Sequence, residues 1–341
     1  MHTLSRREFL RISTLAGAAI AAAACAVPTA PAEPIVAEPG APPAPTAAPA
    51  AEPVAPSRFQ EAPMLAERVA AGELPPVEER LPENPAVIPV IEMIGKYGGN
   101  IRRGYRGMTD YGQSYFTRNS LTRFNYDTTL APMLSESWEM SDDAKVWTWH
   151  LRKGTRWSDG TPVTTKDTQW WWENHVNNTD ISPSGDSTYK TGSGDERQMC
   201  VLETPDDYTI VMTFAHPNPL FGYSVLWTTW PFRPGHYLEQ FHAGFTDMDT
   251  LEKLAKEKGL ATWVDLYSTM AREDLNYEVP QLHTWIPTNN AGAEIHILVR
   301  NPYWWAVDPE GNQLPYLDSI THRLFDSLDV FNMWIMNGEI D

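Results

Sequence analysis

Disulfide chemistry has almost nothing to work with in this chain, since 341 residues hold two cysteines, Cys25 and Cys200. One bridge at most excludes the stapled class of small secreted domains and leaves the fold to an ordinary hydrophobic core. Positive charge is scarce as well: 26 Lys and Arg stand against 44 Asp and Glu, a net charge of −18. Removing residues 1–24, which carry Arg6, Arg7 and Arg11 against Glu8, leaves −20. Such a balance excludes electrostatic binding to nucleic acid or to an anionic membrane surface. The one conspicuous apolar run, Ile12 to Ala24, is too short to cross about 30 Å of hydrocarbon. Catalytic signatures are missing too. There is no Gly-rich phosphate loop ending in Lys-Ser/Thr, no HExxH pair and no G-x-S-x-G elbow. Asp308-Pro-Glu-Gly311-Asn312 has the acids of a calcium loop, but its glycine is misplaced and a proline follows the first acid, so it reads as a plain turn. His236 and His242 have no third ligand nearby. No enzyme activity, cofactor or metal is expected, and no internal repeat supports an adhesin.

What is present begins at the N-terminus. Ser5-Arg6-Arg7-Glu8-Phe9-Leu10 before the apolar run has the form of an export signal, and the paired Arg6 and Arg7 match the twin-arginine pattern. An ordinary secretory signal carrying two arginines is the alternative. The run closes on Ala22-Ala23-Ala24-Cys25, which has the form of a lipobox with Ala22 where leucine is usual, and predicts lipidation of Cys25. Ten prolines and eleven alanines among the 31 residues from Ala26 to Pro56 cannot build a core and predict a semi-extended tether. The expected organisation is a signal peptide over 1–24, a lipidated, tethered segment over 25–58, an extended surface arm over 59–94 and a folded domain over 95–341. The protein is expected outside the cytoplasm, lipid-anchored in the periplasm or on the outer face of the cell membrane, as a monomer. Cys200 is expected to be a small buried apolar residue without function.

Periodicity then gives the elements. Ala62 to Ala71 predicts a short helix stopped by Gly72 and Pro75. Asn100 to Tyr105 predicts a first strand. In Lys145 to Arg152, Trp147, Trp149 and Leu151 alternate with Thr148, His150 and Arg152, the pattern of a half-buried strand. Tyr208, Ile210, Met212 and Phe214 repeat it, and so do Ile295, Ile297 and Val299. Thr164 with Asp167 and Thr262 with Asp265 predict capped helix starts, and Gly259 a helix end. Strands and helices follow one another without a simple βαβ rhythm, so the expected class is α/β or mixed α+β. Fourteen tryptophans supply either core payload or stacking surfaces for a ligand. Trp170, Trp171 and Trp172 point about 100° apart on a helix, so they cannot all face one ligand. By chemistry, the candidate ligand contacts are Tyr105, Tyr111, Trp227, Trp230 and Trp285, aromatic residues near strand ends.

Several segments together resemble the family 5 extracellular solute-binding proteins of ABC importers, the peptide, dipeptide and nickel class. They are Leu130-Ala-Pro-Met-Leu-Ser-Glu-Ser-Trp138, Trp147-Thr-Trp-His-Leu-Arg-Lys-Gly154, Trp157-Ser-Asp-Gly-Thr-Pro-Val-Thr164 with Asp167, Asn301-Pro-Tyr-Trp304, Gly311-Asn-Gln-Leu-Pro-Tyr-Leu-Asp318 and Asn337-Gly-Glu-Ile-Asp341. The resemblance runs from Gly95 to the end. It implies a two-lobed, type II periplasmic-binding fold of which mainly lobe one is present, so that the chain is expected to be an N-terminal fragment stopping near the crossing to lobe two. It further implies capture of an oligopeptide, delivery to membrane permease subunits and hinge closure. Within the class, an oligosaccharide ligand is the alternative; outside it, an exported hydrolase or an adhesin.

Overall fold

The computed structural model describes residues 57–107, 120–125, 127–226, 231–273 and 276–341. Arg6, Arg7, Cys25 and the tether lie outside the described residues. Two short helices, α1 (Pro63–Ala70) and α2 (Val77–Arg80), precede β1 (Ala86–Val87), β2 (Asn100–Tyr105), β3 (Thr122–Phe124), β4 (Leu130–Pro132), β5 (Ser135–Met140) and β6 (Val146–Leu151). α3 (Thr165–Trp171) runs on as a π turn, Trp172–Val176, and leads through β7 (Lys190–Thr191) and β8 (Gln198–Met199) to β9 (Val201–Asp206) and β10 (Thr209–Thr213). The helices α4 (Phe221–Ser224), α5 (Gly235–Leu238), α6 (Met248–Glu257) and α7 (Trp263–Met270) follow. The chain then forms β11 (Trp285–Pro287), β12 (Ile295–Arg300), β13 (Ala306–Val307), β14 (Ser319–Leu324) and α8 (Leu328–Met336). This is the mixed α/β class that the patterns predict.

Two four-stranded sheets dominate. The first has the order β5-β6-β10-β9 and is antiparallel throughout. Its apolar series is placed as predicted, for Trp147, Trp149, Leu151, Ile210, Met212 and Phe214 are all buried, but Arg152 on the opposite face is buried too, donating to Met133 O and Asn84 O. Trp147 and Trp149 stack with ring centroids 5.6 Å apart, and Phe221 of α4 meets both edge-on. Thr164 and Asp167 close the expected capping box at α3, each side chain accepting a backbone N–H of the other's end. The helix so placed divides the three tryptophans. Trp171 enters the main core and Trp172 packs against its edge, while Trp170 turns to a second cluster built from Leu251 and Ala255 of α6 and Leu266, Tyr267 and Met270 of α7. Gly235 allows that turn, because a Cβ there would stand 2.7 Å from the Trp170 ring.

The second sheet has the order β11-β12-β14-β2, with β14 and β2 parallel and the other pairs antiparallel. Here the expected face is inverted. Ile295 is 46% exposed and Ile297 and Val299 are half-buried, whereas His296, Leu298 and Arg300 are buried. The reason is that polar groups of this face find some partners inside, although Arg300 Nε and Nη1 have none among the described residues. His296 Nδ1 lies 3.1 Å from Asn289 Oδ1. Arg300 Nη2 donates to Tyr316 O (2.6 Å) and Asp318 Oδ1 (2.8 Å), and its guanidinium sits 5.1 Å over the Tyr97 ring. Burial of polar groups is tolerable on those terms.

The segment 59–94, expected as an arm on the surface, is bound into the body as far as Ile88, while Ile91 and Met93 stay exposed. Ala62, Leu65, Val77 and Leu81 are buried, β1 pairs in parallel with β13, and Gln60 bridges to Asn312. Arg80 is fully buried, donating to Pro302 O, to Gln313 Oε1 at 2.9 Å and to Glu61. Its short length and Pro-rich composition hide this, since the segment gains its burial from strands more than 200 residues away.

Candidate functional site

The expected contacts are not brought together. Tyr105 closes β2 but is 3% exposed; its hydroxyl donates to Ala293 O and its ring packs against both His296 and His322, which stack on each other. Trp285 on β11 is half-buried, with its indole N–H directed at Leu317 O, 3.4 Å away. Both therefore serve the second sheet. Tyr111, Trp227 and Trp230 lie outside the described residues. Cys200 is buried, and burial pushes its thiol up to about 12, which makes it inert.

The turn Asp308–Asn312 is a turn, as expected. Its carboxylate accepts from Glu310 N–H, Asn312 N–H, the Asn312 amide and the Tyr316 hydroxyl, all within 3.0 Å. His242 faces Asn178 and Asn174 O, while His236 faces Asp159, so they do not share a center. Among the described residues no three His, Cys, Asp or Glu side chains converge as a metal site would require, and no helix is long and apolar enough to cross a membrane.

A polar seam does form where three segments meet: the β6–α3 connection, the approach to α5, and the stretch from α7 to β11. Its base is a pair of hydrogen bonds between Ser158 and Gln281, the backbone N–H of Ser158 donating to Gln281 O (3.0 Å) and that of Gln281 to Ser158 Oγ (2.9 Å). The tight turn at Gly160, with φ +90° and the Tyr303 ring pressed against it, sets the position of Asp159. Asp159 Oδ2 lies 3.0 Å from His236 Nε2, and its other oxygen accepts the Thr161 N–H. Burial raises the carboxyl of Asp159, but these bonds outweigh it and leave the group below the usual carboxylate range. Beside this pair, Glu273 Oε2 lies 2.5 Å from His283 Nε2 and Oε1 lies 3.9 Å from Arg233 Nη1. Burial again acts to raise Glu273, and the charge and hydrogen bond of His283, with Arg233, bring it down. Deeper in, burial and the nearby Arg233 and His242 hold His175 down at about 3, and its Nδ1 lies 3.0 Å from the Tyr267 hydroxyl. Asp167, mostly buried at the cap of α3, is pushed up to about 6.

The seam thus presents paired opposite charges, partly exposed, on three segments. Such a surface can hydrogen-bond a polar ligand and offers no nucleophile with a base. Sequence reasoning missed it because Asp159, Arg233, Glu273 and His283 lie in no common motif; the Ser-Asp-Gly turn was the one visible signal.

Residues 129–262 match the model of the family described as bacterial extracellular solute-binding proteins, family 5 Middle. The periplasmic alpha-galactoside-binding protein of Rhizobium meliloti is 30% identical over 292 residues, which is 78% of this chain and 39% of its own length. Among solved structures, an oligopeptide-binding protein OppA superposes with a TM-score of 0.77 at 40% identity over 83% of this chain and 44% of that one. The periplasmic binding protein MelB of Agrobacterium fabrum, in complex with stachyose, gives 0.66 at 27% identity over 84% of this chain and 44% of its own. The chain therefore spans about two-fifths of the length of the proteins it matches, and over that span it has their type II periplasmic-binding fold.

Proposed function

Because the chain belongs to the family 5 extracellular solute-binding proteins, we propose that it supplies the first-lobe share of a solute-binding protein that captures an oligopeptide outside the cytoplasm and passes it to an ABC permease. The observation that carries this reading is the 40% identity to an oligopeptide-binding protein across 83% of the chain. Ligand capture would work by hinge closure, in which a ligand bridging two lobes stabilises the closed state by its differential affinity for it. Export through Arg6 and Arg7 and a lipid on Cys25 would keep the protein at the membrane face. Peptide binding fits the seam chemistry, since paired donors and acceptors match main-chain amides.

A second reading is favoured by a specific observation: the alpha-galactoside-binding relative aligns over 78% of the chain. On that reading the ligand is an oligosaccharide. Tryptophan fluorescence of the 341-residue chain, titrated with tetra-alanine and with stachyose into the millimolar range, separates the two. A response to tetra-alanine alone supports the first reading and a response to stachyose alone replaces it with the second. No response to either would show that the first-lobe share does not capture solute by itself.

A further inference from the structure

We infer that Arg233 and Glu273 form a ligand subsite for a neutral group that accepts one hydrogen bond and donates another, the chemistry shared by a peptide amide and a sugar hydroxyl. The inference rests on the solute-binding reading and names part of its site.

Arg233 is the anomaly. Its side chain is 13% exposed, yet among the described residues its guanidinium makes no hydrogen bond, and its Nε is enclosed without an acceptor. An arginine taken this far out of water ordinarily spends its donors on acceptors. The nearest carboxylate oxygen, Glu273 Oε1, is 3.9 Å from Nη1. That is close enough to attract and too far to hydrogen-bond. Glu273 is prevented from closing the gap by its other oxygen, which His283 holds at 2.5 Å, while its backbone carbonyl accepts from Gln281 Nε2 at 3.2 Å. Gln281 is in turn tied to Ser158. Donor and acceptor are therefore fixed on two segments, with a gap between them that neither side chain fills.

The width of the gap selects its occupant. A single oxygen about 2.8 Å from both atoms spans it, receiving a hydrogen bond from Nη1 and donating one to Oε1. A hydroxyl does so through one atom, and an extended peptide residue through its own N–H and C=O, which point to the same side. Charged groups fit worse. An anion would lie against the Glu273 carboxylate, which His283 and Arg233 hold below its usual range; a cation would lie against Arg233. At 23% side-chain exposure Glu273 can be reached from solvent.

The test uses isothermal titration of the whole 341-residue chain with tetra-alanine and with stachyose, for the wild type, Arg233→Met, Glu273→Gln and the control Arg68→Met, whose exposed pair with Glu73 is remote from the seam. Arg233→Met and Glu273→Gln are each expected to raise the Kd about 10-fold for whichever ligand the wild type binds, with an unchanged far-ultraviolet circular dichroism spectrum, while Arg68→Met leaves it unchanged. Tetra-alanine affected alone identifies an amide occupant and stachyose affected alone a hydroxyl. Should Arg233→Met fail to fold, Arg233→Lys, which keeps the charge and loses the fork, is read with Glu273→Gln in its place. Folded variants that bind within twofold of the wild type overturn the subsite and leave the solute-binding reading standing. A wild type that binds neither ligand overturns the subsite and solute capture by the first-lobe share by itself.

Discussion

The two four-stranded sheets bury opposite chemistry. Beneath β6 and β10 lie stacked indoles and aliphatic chains, with Trp149 wholly enclosed and its indole N–H left without a partner among the described residues. Beneath β12 and β14 lie His296, Arg300 and His322, with Tyr105 against both histidines. In register, His296 stands opposite His322 and Leu298 opposite Ile320, so polar and apolar pairs alternate along one covered face. The first sheet is held by area removed from water and is insensitive to direction or pH. The second is held by bonds that must each be made, because an unmade one leaves a desolvated group. One region tolerates imprecision and is costly to hollow out; the other tolerates little change of protonation.

The comparison breaks most visibly if the aromatic sheet can be emptied cheaply. Trp149→Ala removes the enclosed ring against Trp138, Trp147 and Phe221. It is expected to destabilise the fold by about 3–5 kcal/mol, the range for deleting a buried aromatic ring. Thermal unfolding followed by circular dichroism measures this, and a loss under about 1 kcal/mol would mean that indole packing is not what holds the first sheet.

The same contrast explains what could be read in advance. Alternation located β6 and β10 and chose the right face, because on these two central strands the alternating apolar series is the buried one. The capping boxes at Thr164 and Thr262 and the stop at Gly259 were legible for the same local reason: a cap needs only residues three apart. On β12 the isoleucines were visible and the face was wrong. What buries Arg300 is Tyr316, Asp318 and Tyr97, which no local window contains. The candidate site failed on the same ground. Tyr105 looked like a loop aromatic and proved to be a ring in the second core, whereas the seam of Asp159, Arg233, Glu273 and His283 exists only once residues more than 70 positions apart are folded together. The arm over 59–94 was misjudged likewise, its anchor being Arg80 against Pro302 and Gln313.

A smaller effect sharpens the contrast through pH. Burial lowers the pKa of His296, against hydrogen bonds involving Asn289 and Asn290 that act to raise it. The folded chain therefore takes up the His296 proton at a lower pH than the unfolded chain, whose ordinary pKa is about 6.5. Stability from this group is whole above that pH and is lost as pH falls, by at most about 1.4 kcal/mol per pH unit until the folded pKa is reached. His175, held at about 3, contributes with the same sign over the same range. His242, which burial also lowers, acts with the same sign, so His296→Gln removes one of three, and the fall in melting temperature between pH 7 and pH 5 should become shallower than in the wild type. An unchanged slope would show that the polar sheet does not carry the acid sensitivity assigned to it.

The smallest expected effect decides which face of β12 is the core. Ile295 heads the apolar series that alternation nominated, and it is 46% exposed. Ile295→Thr keeps a β-branched side chain in a strand and gives up little buried area, so it should change stability by no more than about 0.5 kcal/mol. Leu298, three residues on and 2% exposed, sits opposite Ile320 on the other face, and Leu298→Ala should cost about 2–5 kcal/mol in the same denaturant titration. The ratio carries the argument rather than either value. Were the isoleucine face the true core, the order would reverse, because a one-residue change of face exchanges every buried side chain of a strand for an exposed one. A reversed order would also displace Arg300 and His296 to the surface, and with them the reason for calling the second sheet polar.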